Sequence, residues 1–267
     1  MALSGVGLGS RAFRLPRQGY DLDECQDALA VDAERGRFAI ADGAAESPHA
    51  ALWAQLLVEE FVRQNDPLPR WANWLPSLQD RWLSAIRSPY SAFLASRSSS
   101  EDGGQRSADV PWYLEPGLTQ GAFATFLGLV FEDNSWYALA VGDSCLFQVR
   151  RGELIRTFPI LRAADFSNAP WLVGSRTSPI EVPNKNGLQQ YGECQPGDRF
   201  WLMTDALAQW FLLQSEAGAK PWLSLEPLIY PGSSDDEAQH AFAAWIEGLR
   251  NERRLRNDDV TLVAISQ

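Results

Sequence analysis

The sequence predicts an α+β fold built on antiparallel β-sheets. Strand-like apolar runs cluster along the chain and do not alternate regularly with helices, as they would in a parallel α/β fold. The clearest cluster is residues 121–154, where three such runs follow one another with short turns between them. Two helical patterns precede this cluster and two follow it. This order favours antiparallel sheets over a doubly wound parallel sheet.

The N-terminal part contains a predicted strand pair and two predicted helices. Residues 28–31 and 37–41 are apolar, and the polar residues between them predict a hairpin turn. A helix predicted for residues 47–64 starts at a Ser-Pro pair, which suits the N-cap and the first helical position. A second helix, rich in tryptophan, is predicted for residues 71–96. We expect the tryptophans to pack in the core.

The C-terminal part predicts a strand over 199–203, followed by a helix over 206–214. A further helix is predicted for 235–254, because its acidic first turn suits the positive end of the helix dipole. A polar-acidic turn then enters the final predicted strand, residues 260–265.

The length of 267 residues is compatible with one large domain, so we expect residues 1–267 to form a single unit. Residues 97–110 are rich in Gly and Ser and predict a flexible loop. Residues 158–196 contain five prolines and predict an irregular segment.

Bulk composition excludes several classes of function. The net charge of −11 disfavours nucleic-acid binding, because the overall field repels a polyanion. The three cysteines are odd in number and form no CxxC pair, which fits reduced thiols in a cytoplasmic protein. The sequence has no apolar run of about 18 residues, so we expect no membrane insertion.

Five aspartates lie where an apolar run meets a small or polar residue. They are Asp27, Asp42, Asp143, Asp205 and Asp258. If the strands lie in facing sheets, these carboxylates can converge at one edge, where they repel one another unless a cation neutralises them. Oxygen ligands suit Mg²⁺ or Mn²⁺, and with only two histidines in the chain a zinc site is disfavoured. The alternative is that each aspartate only forms a turn or caps a helix, as Asp205 would do at an N-cap.

Six segments, in order, resemble the metal-dependent serine/threonine protein phosphatases of type 2C. They are CQDAL (25–29), FAIADGAAES (38–47), GAFATFLGLVF (121–131), ALAVGDSCLFQVRRGEL (138–154), DRFWLMTDALAQW (198–210) and NDDVTLVAI (257–265). Together they span nearly the whole chain, and the resemblance is to a bacterial branch of the family. It implies two stacked antiparallel β-sheets flanked by helices on both faces, an α-β-β-α sandwich, with a mobile flap in the region of residues 158–196.

The resemblance also implies a centre with two Mn²⁺ or Mg²⁺ ions and a third, looser one. Asp42 would bridge two ions, and the Gly43 carbonyl would bind one of them. Asp205 and Asp258 would hold the other ion, while Asp143 matches the third position. Asp27 would lie behind the direct ligands or bind an ion through water.

The implied activity is hydrolysis of phosphoserine and phosphothreonine by a metal-activated water. The implied partner is a phosphorylated protein, the substrate of a bacterial Ser/Thr kinase. Three departures leave an alternative open: a catalytically weak regulatory module that binds a phosphoprotein or a kinase. Gln26 replaces an acid, the sequence DGAAE lacks the family's histidine, and Leu22 stands where many members have an arginine that clamps phosphate. Arg14 or Arg17 is a candidate substitute for that arginine.

Overall fold

The computed structural model describes residues 8–66, 70–98, 120–176, 187–229 and 234–267. Two five-stranded antiparallel sheets stack face to face, and helices cover both outer faces. The twelve strands are β1 Gly9–Leu15, β2 Asp27–Asp32, β3 Arg37–Asp42, β4 Phe123–Ala124, β5 Phe126–Glu132, β6 Ser135–Val141, β7 Cys145–Arg150, β8 Glu153–Phe158, β9 Val173–Gly174, β10 Leu188–Glu193, β11 Arg199–Met203 and β12 Val260–Ser266. The described ranges contain the five α-helices α1 Ala50–Arg63, α2 Trp71–Ser98, α3 Asp205–Glu216, α4 Trp222–Ile229 and α5 Asp235–Asn251.

Sheet I has the strand order β1-β12-β11-β7-β8, and sheet II has the order β10-β6-β5-β3-β2. β4 and β9 form a separate short pair. The alternation of side chains along each strand divides the molecule into layers. In β3, Phe38 and Ile40 join the core between the sheets, while Ala39 and Ala41 face the helices α1 and α2. The predicted α-β-β-α sandwich is therefore confirmed.

Large aromatic residues bury the helices against both sheets, as the sequence predicted. Trp53, Trp71, Trp74 and Trp82 belong to the core between sheet II and the helices α1 and α2. Trp201, Trp210 and Trp222 belong to the core between sheet I and the helices α3, α4 and α5, and Trp245 packs against it. Within the described ranges, no helix combines the length and apolar character needed to span a bilayer.

The start predicted for the first helix is wrong. Helix α1 begins at Ala50, and its N-cap is His49 in the left-handed conformation, with φ of 58°. Ser47 caps nothing, because its hydroxyl donates to the Ala44 carbonyl (2.9 Å) and accepts from the Phe123 amide (3.1 Å). The Ser47 hydroxyl, which the local sequence predicted to cap the helix, therefore forms a long-range hydrogen bond with Phe123 instead.

The strands β1, β8, β9 and β10 and the helix α4 were not predicted as separate elements. β1 and β10 lie at sheet edges, and their polar or charged residues hide the apolar alternation that identifies a strand. β10 falls inside residues 158–196, so the prediction of an irregular segment is wrong there. α4 contains Pro227, which locally argues against a helix.

The predicted loop over 97–110 begins too early, because α2 continues to Ser98. Its remaining residues lie outside the described part of the chain. The predicted helix over 235–254 ends at Asn251, close to Arg253, whose φ of 57° is left-handed.

Helix α1 approaches sheet II at Gly128 of β5, where the ring of Phe61 lies directly over the backbone. A Cβ at position 128 would overlap that ring, and Phe61 is fully buried. We expect Gly128→Ala to lower the free energy of unfolding by about 1–3 kcal/mol, the usual cost of overpacking. Urea denaturation measures this change.

The matched control is Gly248→Ala in α5, where an added Cβ meets nothing within 4 Å. That substitution should stabilise the helix by up to about 1 kcal/mol. Equal stability of the two variants would show that the contact with Phe61 does not limit the packing of α1.

Candidate metal centre

Asp27 and Asp42 face each other at the end of the β2–β3 hairpin, as directly paired residues. Asp27 is 1 % exposed, and its Oδ2 accepts a hydrogen bond from the Thr204 hydroxyl at 2.9 Å. The same hydroxyl accepts from the Thr261 amide at 2.9 Å. Because Thr204 and Thr261 belong to the sheet I side, this relay ties the ends of the two sheets together. The Oδ1 atom of Asp27 has no hydrogen-bond partner among the described residues.

Asp205 and Asp258 lie across the cluster and share one arginine. Asp205 is the first residue of α3, whose N-cap is Thr204, so the alternative of Asp205 as the N-cap is wrong. Asp258 lies just before β12. The Arg256 guanidinium forms ion pairs with Asp205 and with Asp258 Oδ2, the latter at 3.1 Å.

Asp143 joins the cluster from the turn between β6 and β7. It is 4 % exposed, and its Oδ1 has no partner among the described residues. Thr125 links this turn to Asp42: its hydroxyl accepts from the Asp42 amide at 3.2 Å and contacts the Ser144 hydroxyl at 2.9 Å. Gly142 permits the approach, because a Cβ there would lie 2.7 Å from Thr125. The five predicted aspartates therefore meet at one end of the sandwich.

Burial and mutual repulsion raise the pKa of four of these carboxyls. Burial comes first for Asp42, whose pKa is raised well above its ordinary value, and the charges of Asp27, Asp205, Asp258 and Asp143 add to it. Burial raises the pKa of Asp27 to about 8 and that of Asp143 to about 7. The pKa of Asp205 is also raised by burial, although Arg256 opposes the shift. The cluster therefore holds its negative charge poorly without cations.

The donor set fits a hard divalent cation. All candidate side-chain ligands are carboxylate oxygens, and two buried ones, the Oδ1 atoms of Asp27 and Asp143, have no described partner. In the described residues, however, no three Asp, Glu, His or Cys side chains are arranged to ligate one ion. Instead, Arg256 supplies the positive charge between Asp205 and Asp258.

Gly43 follows Asp42 and has a packing reason to be glycine. A Cβ at this position would lie 2.8 Å from the Gln26 carbonyl oxygen and 3.0 Å from Ala50. The Gly43 amide donates to that same carbonyl at 3.2 Å. Glycine therefore lets the β2–β3 hairpin and the start of α1 approach each other beside the cluster.

A cleft of about 700 Å³ opens over the aspartates. It is lined by Asp42, Gly43, Asp205 and Asp258, by residues 44–47, by Ser167, Asn168, Ala169, Pro170 and Leu172, and by Arg17, Gln26, Gln120, Gly121, Phe123, Thr125, Arg256 and Asp259. Among the arginines of the described residues, Arg17 and Arg256 line it. Leu22 is exposed, and Arg14 donates to the Asp27 carbonyl at 3.1 Å.

Asp259, predicted only as part of a turn, places Arg17 at the cleft. Its Oδ1 accepts from the Arg17 amide at 2.8 Å, and its Oδ2 accepts from the Gln26 amide at 2.7 Å. The Arg17 guanidinium lies 3.9 Å from the centre of the Tyr20 ring. Thr125, Arg256 and Asp259 are the residues that sequence reasoning missed, and the signal for each was only its position beside a strand end.

Comparison with known proteins gives one family. The family model for protein phosphatase 2C matches residues 21–247. No curated protein matches the sequence with significant similarity.

Solved structures share the fold over nearly the full length. PppA, titled a key regulatory component of the T6SS in Pseudomonas aeruginosa, has 17% identity and a TM-score of 0.55, covering 98% of both chains. The catalytic domain of the phosphatase PstP, solved with two manganese ions, has 18% identity and a TM-score of 0.52, covering 97% of this chain and 98% of that one. PstP/Ppp of Mycobacterium tuberculosis has 16% identity and a TM-score of 0.50, with the same coverage.

The raised pKa values predict an unusual pH dependence in the absence of metal. Ordinary aspartates titrate near pH 4, whereas the pKa of Asp27 is about 8 in the folded chain. The folded protein therefore binds more protons than the unfolded chain between these values, so its stability should fall as pH rises from about 4 to 8. Thermal unfolding in chelator should show this decline.

Asp42→Asn removes one of the repelling charges. In chelator at pH 8 it should melt at least about 2 °C above the unsubstituted protein, the shift that about 1 kcal/mol gives in a domain of this size. At pH 5 the gap should shrink, because Asp27 and Asp143, with pKa values of about 8 and about 7, are then largely protonated. Asp133→Asn, at an exposed turn, is the control and should change neither value. A lower melting temperature for Asp42→Asn at pH 8 would contradict the repulsion.

Proposed function

Because the chain belongs to the protein phosphatase 2C family of metal-dependent serine/threonine phosphatases, we propose that its five clustered aspartates are the metal centre of that activity. The protein is a phosphomonoester hydrolase acting on phosphoserine and phosphothreonine. The residues that act, the metal ions and the substrates are the proposed part. The observation that carries the proposal is the cleft lined by Asp42, Asp205 and Asp258, with Asp27 paired directly with Asp42 at the end of its hairpin.

We assign the ligands as follows. Asp42 and the Gly43 carbonyl would hold one Mn²⁺ or Mg²⁺ ion, and Asp42 with Asp205 and Asp258 would hold a second. Asp143 would contribute to a third, looser site. Support comes from their common location at one end of the sandwich and from the unpartnered Oδ1 atom of Asp143.

Bound metal supplies an activated water and stabilises charge on the phosphoryl oxygens. The protein's own residues fix the geometry around it. Thr125 holds Asp42 through both backbone groups, since its amide donates to the Asp42 carbonyl at 2.8 Å and its hydroxyl accepts from the Asp42 amide. Thr204 holds Asp27 by Oδ2 and so fixes this carboxylate beside Asp42.

Arg17 is proposed to bind the substrate phosphate in place of an arginine at position 22. It lines the cleft, and among the described residues it forms no ion pair with a carboxylate. A guanidinium recognises phosphate through paired hydrogen bonds. Asp259 fixes the backbone amide of Arg17, so the guanidinium starts from an anchored position at the cleft.

We propose that the substrate is a phosphorylated protein, the product of a bacterial Ser/Thr kinase in the cytoplasm. Residues 158–196 would act as a flap, which is supported by Ser167, Pro170 and Leu172 on the cleft wall. Residues 1–267 would act as one catalytic domain, since both sheets contribute to the core between them. The net charge of −11 disfavours nucleic acid as a partner, because the negative protein repels a polyanion.

A second candidate function is a weakly catalytic regulatory module that binds a phosphoprotein or a kinase. Gln26 in the cleft and Leu22 at the surface favour it, because neither supplies the charge found in many family members. Turnover decides between the two candidates.

Hydrolysis of an aryl phosphate and a phosphothreonine peptide should require Mn²⁺ or Mg²⁺ and stop in chelator. Asp42→Asn and Asp205→Asn should each lower kcat/KM by at least about 10²-fold, because each removes a charged ligand. Asp133→Asn should retain full activity. A steady-state assay of purified protein measures these values. If the unsubstituted protein shows no turnover while Mn²⁺ still raises its melting temperature, the regulatory module is the better reading.

A further inference from the structure

Arg256 lines the cleft, and the proposed mechanism gives it no role. Its guanidinium is the positive group paired with Asp205 and Asp258, two of the proposed metal ligands. The Arg256 side chain is 42% exposed, so solvent and ligands reach it from the cleft. It also lines the same cleft as Arg17, over the aspartates.

Arg256 and a metal ion satisfy the same two carboxylates. A divalent cation at Asp205 and Asp258 would repel the guanidinium and use the oxygens that it now contacts. Conversely, a guanidinium on these carboxylates leaves fewer oxygens for a cation, which agrees with the absence of a ligating trio among the described residues. The two positive groups therefore compete for one site.

A displaced guanidinium remains within reach of the cleft, because Arg256 lines it and is only two residues before Asp258. The group with which it can then pair is an anion bound over the aspartates. Phosphate is the anion that the proposed reaction brings there, and arginine binds it bidentately.

We propose that Arg256 exchanges its carboxylates for the substrate phosphate when metal binds. Before metal binding, it acts as a built-in counter-cation for Asp205 and Asp258. After metal binding, it becomes a phosphate-binding residue. Metal loading is thereby coupled to substrate binding. This inference rests on the proposed metal centre and adds to it a residue that the sequence resemblance did not assign.

The test is the binding of two ligands, measured by isothermal titration calorimetry on the full chain. Mn²⁺ is titrated into protein stripped of metal, and inorganic phosphate is titrated into the Mn²⁺-loaded protein. Arg256→Gln should bind Mn²⁺ with a Kd about 3- to 10-fold lower, because a competing ion pair is gone. The same variant should bind phosphate with a Kd at least about 5-fold higher, because a charge-assisted contact is lost.

Arg254→Gln is the matched control. Arg254 lies two residues away and pairs with the exposed Glu252, so its loss changes the net charge equally without touching the centre. It should leave both Kd values unchanged. Arg256→Lys keeps the charge without the bidentate fork and should give intermediate values for both ligands.

Opposite changes in the two affinities are the expected signature, since a merely structural role would weaken both. Unchanged or weaker Mn²⁺ binding by Arg256→Gln, with normal binding by the unsubstituted protein, would overturn the exchange and leave the metal centre standing. Tighter Mn²⁺ binding with unchanged phosphate binding would also overturn it. Failure of the unsubstituted protein to bind Mn²⁺ would reject the metal centre and the exchange together.

Discussion

Repulsion among carboxylates at one end of the sandwich is the constraint on which the rest of the structure depends. Both sheets direct aspartates to this end, and burial makes the charges of Asp27 and Asp42 costly to hold. The surrounding residues stabilise the carboxylates against this repulsion in two ways. Hydroxyl groups hold single oxygens in place, as Thr204 does for Asp27, and Arg256 neutralises the partly exposed pair. What remains unsatisfied is a set of oxygen atoms suited to divalent cations.

The scaffold must be rigid to hold such a cluster together. The core between the sheets is continuous and apolar, and it fixes the register of the strands that end at the aspartates. Glycines remove the side chains that would keep these elements apart: Gly128 under α1, Gly43 beside the hairpin end and Gly142 against Thr125. Because helices, sheets and turns approach closely at these points, the positions of the strands determine the positions of the carboxylates.

The cleft also shows how a missing positive charge can be supplied from elsewhere in the chain. Leu22 is exposed and contributes no charge, but the segment before it brings Arg17 to the cleft. Asp259 makes this possible by accepting two backbone hydrogen bonds from that segment. Adjacent aspartates thus have different roles, because Asp258 faces the open centre while Asp259 is buried beneath the N-terminal segment.

The sequence by itself determined the strands with apolar alternation, the amphipathic helices and the five aspartates at strand ends, because each depends on neighbouring residues in the chain. The resemblance to a known family predicted that these elements form an α-β-β-α sandwich. Only the tertiary structure decided the edge strands β1 and β10, the start of α1, and the roles of Arg256 and Asp259. The contacts that decide these features join residues far apart in sequence: Asp259 accepts from amides 242 and 233 positions away, and Arg256 pairs across 51. Local sequence contains no pattern that identifies such distant partners. These hydrogen bonds and ion pairs can therefore be identified only in the folded structure.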